Sequence, residues 1–130
     1  MNYHDVLDEL KAKNNISWLK LEELYQDEIY MWVEKKDFRQ AAAFLSKKLN
    51  APVSMLFCED RRSCNEGFAI RCLFKANQLK KWIFVCVTVN ENDARFDSLS
   101  QAVHSAVMYE RAIREMFGIA PAGNADSRRL

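Results

Sequence analysis

Glycine is scarce in this chain: Gly67, Gly118 and Gly123 are the whole complement. Phosphate-cradling loops and dinucleotide fingerprints need clustered glycines that let the backbone approach a phosphate, so neither can be built here. Histidine is scarcer still. His4 and His104 stand far apart, and neither has a neighbour at ligand spacing. A Ser-His-Asp triad is a spatial arrangement that spacing alone neither supports nor forbids. His104, flanked by small residues, reads as an exposed helix residue. The cysteines Cys58, Cys64, Cys72 and Cys86 are separated by six, eight and fourteen positions, with no Cys-x-x-Cys. Zinc knuckles and iron–sulfur runs need closely paired ligands. The four therefore read as small buried hydrophobes on strands.

Charge of one sign is missing as well. The formal net charge is +1, from 19 basic and 18 acidic residues. No strong field exists to recruit nucleic acid or anionic lipid. The longest apolar run, Trp82 to Val89, is strand-sized and too short to span a bilayer. The N-terminus lacks the basic-then-apolar order of a signal peptide. These absences predict a cytoplasmic protein that meets a membrane only through partners.

What is present suffices for a core. Apolar residues make up 49% and charged residues 28% of 130 residues, which suits one domain over 1–130. Tyr3, Val6, Leu7 and Leu10 form one stripe of a helix over 3–14. Residues 16–25 are ambiguous between strand and short helix. Ile29, Met31 and Val33 alternate with Tyr30 and Trp32, which predicts a strand over 28–34. Asp37 is placed to cap a helix over 38–49, and Pro52 prevents its continuation. Strands are expected at 53–59, 67–75 and 81–89, the last two joined as a hairpin. The loop between the first two contains Arg61 and Arg62, read as solvated. Trp18, Trp32 and Trp82 sit in apolar runs and read as core. Ser98 is placed to cap a last helix reaching Phe117, closed by Gly118 and Pro121. The expected fold class is α+β: a mainly antiparallel sheet of about four or five strands, with three helices mostly on one face.

The last helix holds the unusual residue. At 100° per residue, Leu99, Val103, Ala106, Ile113 and Phe117 share one face, and Glu110 falls in the middle of that stripe. Arg114 follows four residues on, and Arg111 and Glu115 form a second pair on the polar side. A carboxylate on a packing face is costly to desolvate and needs an arginine or backbone amides. Two readings stay open. Either the helix bends and Glu110 reaches water beside Arg114, or Glu110 is a buried anchor for the tail or a partner chain. The tail 119–130 carries little apolar surface and ends in Arg128-Arg129-Leu130, which makes sense if it docks on something.

The segments Ser98-Leu99-Ser100, Tyr109-Glu110-Arg111-x-Ile113-x-Glu115-Met116-Phe117-Gly118-Ile119 and Gly123-x-x-Asp126-x-Arg128-Arg129-Leu130 together resemble the signature of the 30-kDa subunit family of respiratory complex I. Members of that family are subunits of bacterial NADH–quinone oxidoreductase, with relatives in energy-converting membrane-bound [NiFe]-hydrogenases. Ala112, Glu115 and Asn124-Ala125 depart from its usual pattern. The link Ala120-Pro121-x-Gly123 looks closer to the hydrogenase branch. The resemblance implies an accessory subunit with no cofactor of its own and no catalytic residue. Iron–sulfur clusters, and a [NiFe] centre or quinone, would belong to partner subunits. The implied partners are the large catalytic subunit (49-kDa or hydrogenase-large-like) and the iron–sulfur subunit, with no nucleic acid. The implied anchor and interface residues are Glu110, Arg111, Arg114, Glu115, Gly118, Asp126, Arg128 and Arg129. The residues alone also admit a free-standing small-molecule-binding domain or a regulatory interaction module.

Overall fold

The computed structural model describes residues 2–100 and 103–122, and the backbone alone at His104. Helix α1 covers Tyr3–Asn14, followed by strands β1 (Lys20–Leu24) and β2 (Glu28–Trp32). Helix α2 covers Phe38–Leu49, and β3 (Met55–Asp60), β4 (Phe68–Ala76) and β5 (Lys81–Val89) follow. The chain closes with β6 (Arg95–Asp97), α3 (Val107–Phe117) and β7 (Ala120–Ala122). The fold is α+β, as the sequence predicts.

The five-stranded sheet has the order β1-β2-β5-β4-β3. All neighbours are antiparallel except β2 and β5, which run parallel. Parallel neighbours need a long crossover, and here α2 with the β3–β4 pair supplies it. Alternate side chains then sort to two faces. Ile29, Met31, Ile70, Cys72, Phe74, Ile83, Val85 and Val87 join the buried residues of all three helices in one core cluster. Helix α2 rests on β4 and β5 and against α1, while α3 lies along β3. The opposite sheet face carries Tyr30, Trp32, Trp82, Phe84, Leu73 and Arg71 in register. Trp32 and Trp82 are therefore not core residues; Trp82 is 37% exposed. The ambiguous segment is settled by β1, which pairs with β2 through a turn whose Tyr25 and Gln26 adopt φ of 56° and 68°.

Three expected capping and placement details differ. Asp37 makes no side-chain capping bond; it ends a single 3-10 turn, Lys35–Asp37, that runs into α2. Cys64 lies exposed in another 3-10 turn, not buried on a strand, and Cys58 is only half-buried. The last helix does not begin at Ser98. A 3-10 turn over His104–Ala106 precedes α3, which starts at Val107. The Ser98 hydroxyl is instead drawn to the Glu110 carboxylate at 2.6 Å, and the Ser98 N–H donates to the Ala122 carbonyl at 2.9 Å, next to a short parallel ladder of β6 with β7. Residues 120–122 of the expected docking tail are thus a strand of this domain.

Two glycines occupy left-handed backbone for different reasons. Gly118 (φ +70°) follows α3 and donates to the Arg114 carbonyl at 2.9 Å, and a Cβ there would meet nothing within 4 Å. A Cβ on Gly67 (φ +64°) would lie 2.5 Å from the Val89 carbonyl oxygen. Gly118→Ala should therefore cost only the backbone strain of about 1 kcal/mol. Gly67→Ala should cost clearly more, because the hairpin backbone must also shift. Urea unfolding of the two variants checks this, and equal losses would contradict the steric assignment.

Candidate functional site

Glu110 is fully buried, with 0% exposure, on the inner side of α3. Its carboxylate accepts the Ser98 hydroxyl at 2.6 Å and the Leu99 N–H at 2.6 Å. Both bonds have the short length expected when a carboxylate is the acceptor. The donors lie on the loop leaving β6, so the carboxylate ties α3 to that loop across 11 and 12 residues of sequence. The water-reaching alternative does not describe it.

Ser98 is the hub of this network. Its hydroxyl also lies 2.8 Å from the Ser100 hydroxyl and accepts the Ser100 N–H at 3.1 Å. Its carbonyl accepts Arg39 Nε from α2 at 2.8 Å, and Arg39 Nη2 reaches the Ala122 carbonyl at 3.4 Å. One serine therefore links α2, β6, β7 and α3. Sequence reasoning found Ser98 but assigned it a cap, and it missed Arg39. No local signal identifies Arg39, because its partners are 59 and 83 residues away.

The other predicted residues fall in different settings. Arg111, expected on the solvated side with Glu115, is 9% exposed, and its Nη1 donates toward Met108 Sδ at 3.4 Å. Its long stem lets a charged residue line an apolar surface. Arg114 is half-buried, and Glu115 and Gly118 are exposed. Asp126, Arg128 and Arg129 lie outside the described residues. Arg62 is solvated as expected and forks onto Asp60 at 3.0 and 2.7 Å. That guanidinium, with the Arg62 amide, holds the Asp60 carboxyl down at about 2. Arg61 instead stacks over the Trp32 ring at 5.6 Å.

Chemically, the buried Glu110 carboxylate holds a hydroxyl and a backbone amide of its own chain, which is a positioning arrangement. Burial pushes the Cys58 and Cys86 thiols up to about 12, and the Cys72 thiol well above its ordinary value. Thiolate fraction governs cysteine reactivity, so these three stay unreactive at neutral pH. Among the described residues, no three His, Cys, Asp or Glu side chains converge as a metal site.

Comparison with known proteins decides the family. The sequence profile of the family described as respiratory-chain NADH dehydrogenase, 30-kDa subunit, matches residues 31–130. The chain belongs to this family. Formate hydrogenlyase subunit 5 of Escherichia coli (strain K12) is 32% identical over 106 residues, which is 81% of this chain and 19% of that protein. Hydrogenase-4 component G of the same organism is 36% identical over 77 residues, 58% of this chain and 14% of that protein. The chain thus spans less than a fifth of the length of these relatives. Among solved structures, a trypsin-resistant fragment of Nqo5 superposes with a TM-score of 0.78 at 21% identity, covering 97% of this chain and 99% of the fragment. A chain of the membrane-bound sulfane sulfur reductase, an archaeal respiratory membrane complex, superposes with a TM-score of 0.76 at 15% identity, covering 93% and 71%. At those identities the likeness is one of fold. The matched span includes both Ser98 and Glu110.

Two measurements test the site. Glu110→Ala strands two buried donors and opens a cavity, so it should destabilise the domain by about 3 kcal/mol or more. Chemical denaturation reads this directly, and a loss below about 1 kcal/mol would mean the carboxylate is solvated. Iodoacetamide at pH 8 should label native protein at Cys64 alone of the 4 cysteines. Raising the pH to 9 should not add Cys58 or Cys86, because their thiols sit at about 12 and remain protonated. Peptide mapping that found Cys86 labelled without denaturant would contradict the packing.

Proposed function

We propose that this 30-kDa-subunit domain is a cofactor-free accessory and assembly subunit of a membrane-associated NADH dehydrogenase (quinone) or energy-converting hydrogenase complex. Its role is to position the large catalytic subunit. Iron–sulfur clusters, with a [NiFe] centre or quinone, reside in the partner subunits, and electrons pass through those. The cytoplasmic side is the proposed location, with membrane contact made only by partners. No helix among the described residues is long and apolar enough to cross a membrane.

The observation that carries this reading is how Glu110 is used. The central carboxylate of the family motif accepts a hydroxyl and an amide of its own chain. This inward use of the carboxylate supports a structural role for the motif. What the network fixes is the point where the C-terminal segment leaves the domain, through Ser98, Arg39 and Ala122. A rooted tail bearing Asp126, Arg128 and Arg129 is suited to lie along the large subunit, its guanidiniums forking onto carboxylates or carbonyls. The relatives support an assembly role: one is named a formate hydrogenlyase subunit and another a hydrogenase-4 component.

Purification of the tagged chain from native membranes tests the proposal. A large catalytic subunit and an iron–sulfur subunit should co-purify, while the chain expressed alone should be colourless. Isolation with no such subunit would overturn the reading. Replacing both Arg128 and Arg129 by Ala should leave the melting temperature within about 1 °C, as for surface changes generally, while lowering recovery of the complex. Unfolding of that variant would contradict a docking role.

A further inference from the structure

The sheet face opposite the helices carries a second contact surface. An antiparallel sheet with one open face normally turns polar side chains outward. This face instead presents Leu24, Tyr30, Trp32, Met55, Trp82 and Phe84 in adjacent register positions. Met55 is 47% and Leu24 42% exposed. Leu24, Met55 and Trp82 are exposed at its margins, and the rings between them are only partly covered by Arg61, Arg71 and Lys75; exposed apolar residues grouped on one face mark an interaction site. A cleft of about 510 Å³ lies in its centre, between the aromatics and Lys20, Glu22, Glu59, Arg61 and Arg71.

The polar groups of the cleft indicate what covers it. Its carboxylates are occupied: Glu22 accepts Trp32 Nε1 at 3.0 Å and lies 3.4 Å from Lys20 Nζ. Glu28 beside it accepts the Tyr30 hydroxyl, and Glu59 lies 3.1 Å from Arg71 Nη2. The donors are not all used. Arg71 stacks against Trp32 at 5.0 Å and Tyr30 at 5.4 Å, and its Nη1 meets only the weak acceptor Cys86 Sγ at 3.8 Å. Its Nε is buried without an acceptor. A guanidinium offers Nε and Nη2 as a fork to one carboxylate; Glu59 takes only the Nη2 prong. Glu59 is on the edge strand β3 and 46% exposed, so it can swing out and yield that prong.

We propose that this face is covered by a segment of a neighbouring protein subunit, apolar at its centre and carrying one aspartate or glutamate that closes the Arg71 fork. A second copy docked through this same face is disfavoured, because it would set the same unused Arg71 donor opposite this one. The proposal rests on the assembly role above, and names a surface for it separate from the tail.

The test uses the full chain in its native complex. A p-benzoylphenylalanine cross-linker is placed at Leu24 or Met55, and as a control at Lys11, which is exposed on α1. The complex is purified by a tag on the chain and cross-linked peptides are identified by mass spectrometry. Positions 24 and 55 should link to another subunit within a few residues of an acidic side chain, and position 11 should not. Separately, Leu24→Glu should lower the recovered partner about tenfold, the scale of a typical interface anchor, without changing the melting temperature. Links to a second copy, or no links from 24 and 55 while the large subunit still co-purifies, would overturn the face and leave the assembly role standing. Absence of every other subunit from the purified material would overturn both.

Discussion

A carboxylate sealed at 0% exposure is the constraint on which the C-terminal half of this domain depends. Removing a charge from water is unfavourable by more than any single packing contact returns, so the surrounding chain must bring donors to it. Those donors are the Ser98 hydroxyl and the Leu99 amide. A 3-10 turn over His104–Ala106 then leads into α3 at Val107. The Ser98 amide, left facing outward, pairs with Ala122 and creates the β6–β7 ladder. Arg39 then finds two adjacent carbonyls to hold. Helix α3, the loop after β6, the small sheet and α2 are thus tied together around one desolvated group.

The sheet obeys a different logic. Because β2 and β5 run parallel, the β1–β2 hairpin joins the β5–β4–β3 meander along one side of β5. The helices fill one side of the resulting surface. On the other side, cations cover the aromatic rings: Arg61 over Trp32, Arg71 over Trp32 and Tyr30, Lys75 over Trp82. Stacking of this type shields ring faces while keeping charge at the surface. A face built this way tolerates water when alone and loses little on being covered, because its carboxylates are already paired within it, leaving Arg71 Nε as the group that still needs an acceptor.

How much of this was legible in the sequence depends on the range of the interactions. Period-2 alternation placed β2, the strand-sized apolar run from Trp82 to Val89 placed β5, and the apolar stripe of α1 was readable from Tyr3, Val6, Leu7 and Leu10. Those signals are local. The position of Glu110 within an apolar stripe was legible too, and with it the need for donors. Which donors was not, since Ser98 is 12 residues away and read equally well as a helix cap. The same holds for Trp32 and Trp82. Hydrophobicity predicts that a side chain avoids water, but not whether the fold or a partner does the covering. Arg39 carried no signal at all, because a clamp on two distant carbonyls exists only once the chain has folded.

The two proposed contacts would act together rather than in parallel. Ala122 is held by the β6–β7 ladder and by Arg39, so a partner that held the residues after it would also hold the sheet within a restricted volume. Binding at the second surface then becomes intramolecular, with an effective concentration on the order of millimolar for a short connection. A weak, mostly apolar face suffices under those conditions, and a strongly charged one would be a disadvantage, since it would also attract unrelated partners. The net charge of +1 and the internally paired carboxylates of the open face fit that demand. On the proposed reading, it is the anchoring at Ala122 that would turn two modest contacts into one specific assembly, and Arg39, which holds Ala122, also holds the Ser98 carbonyl beside the buried carboxylate of Glu110.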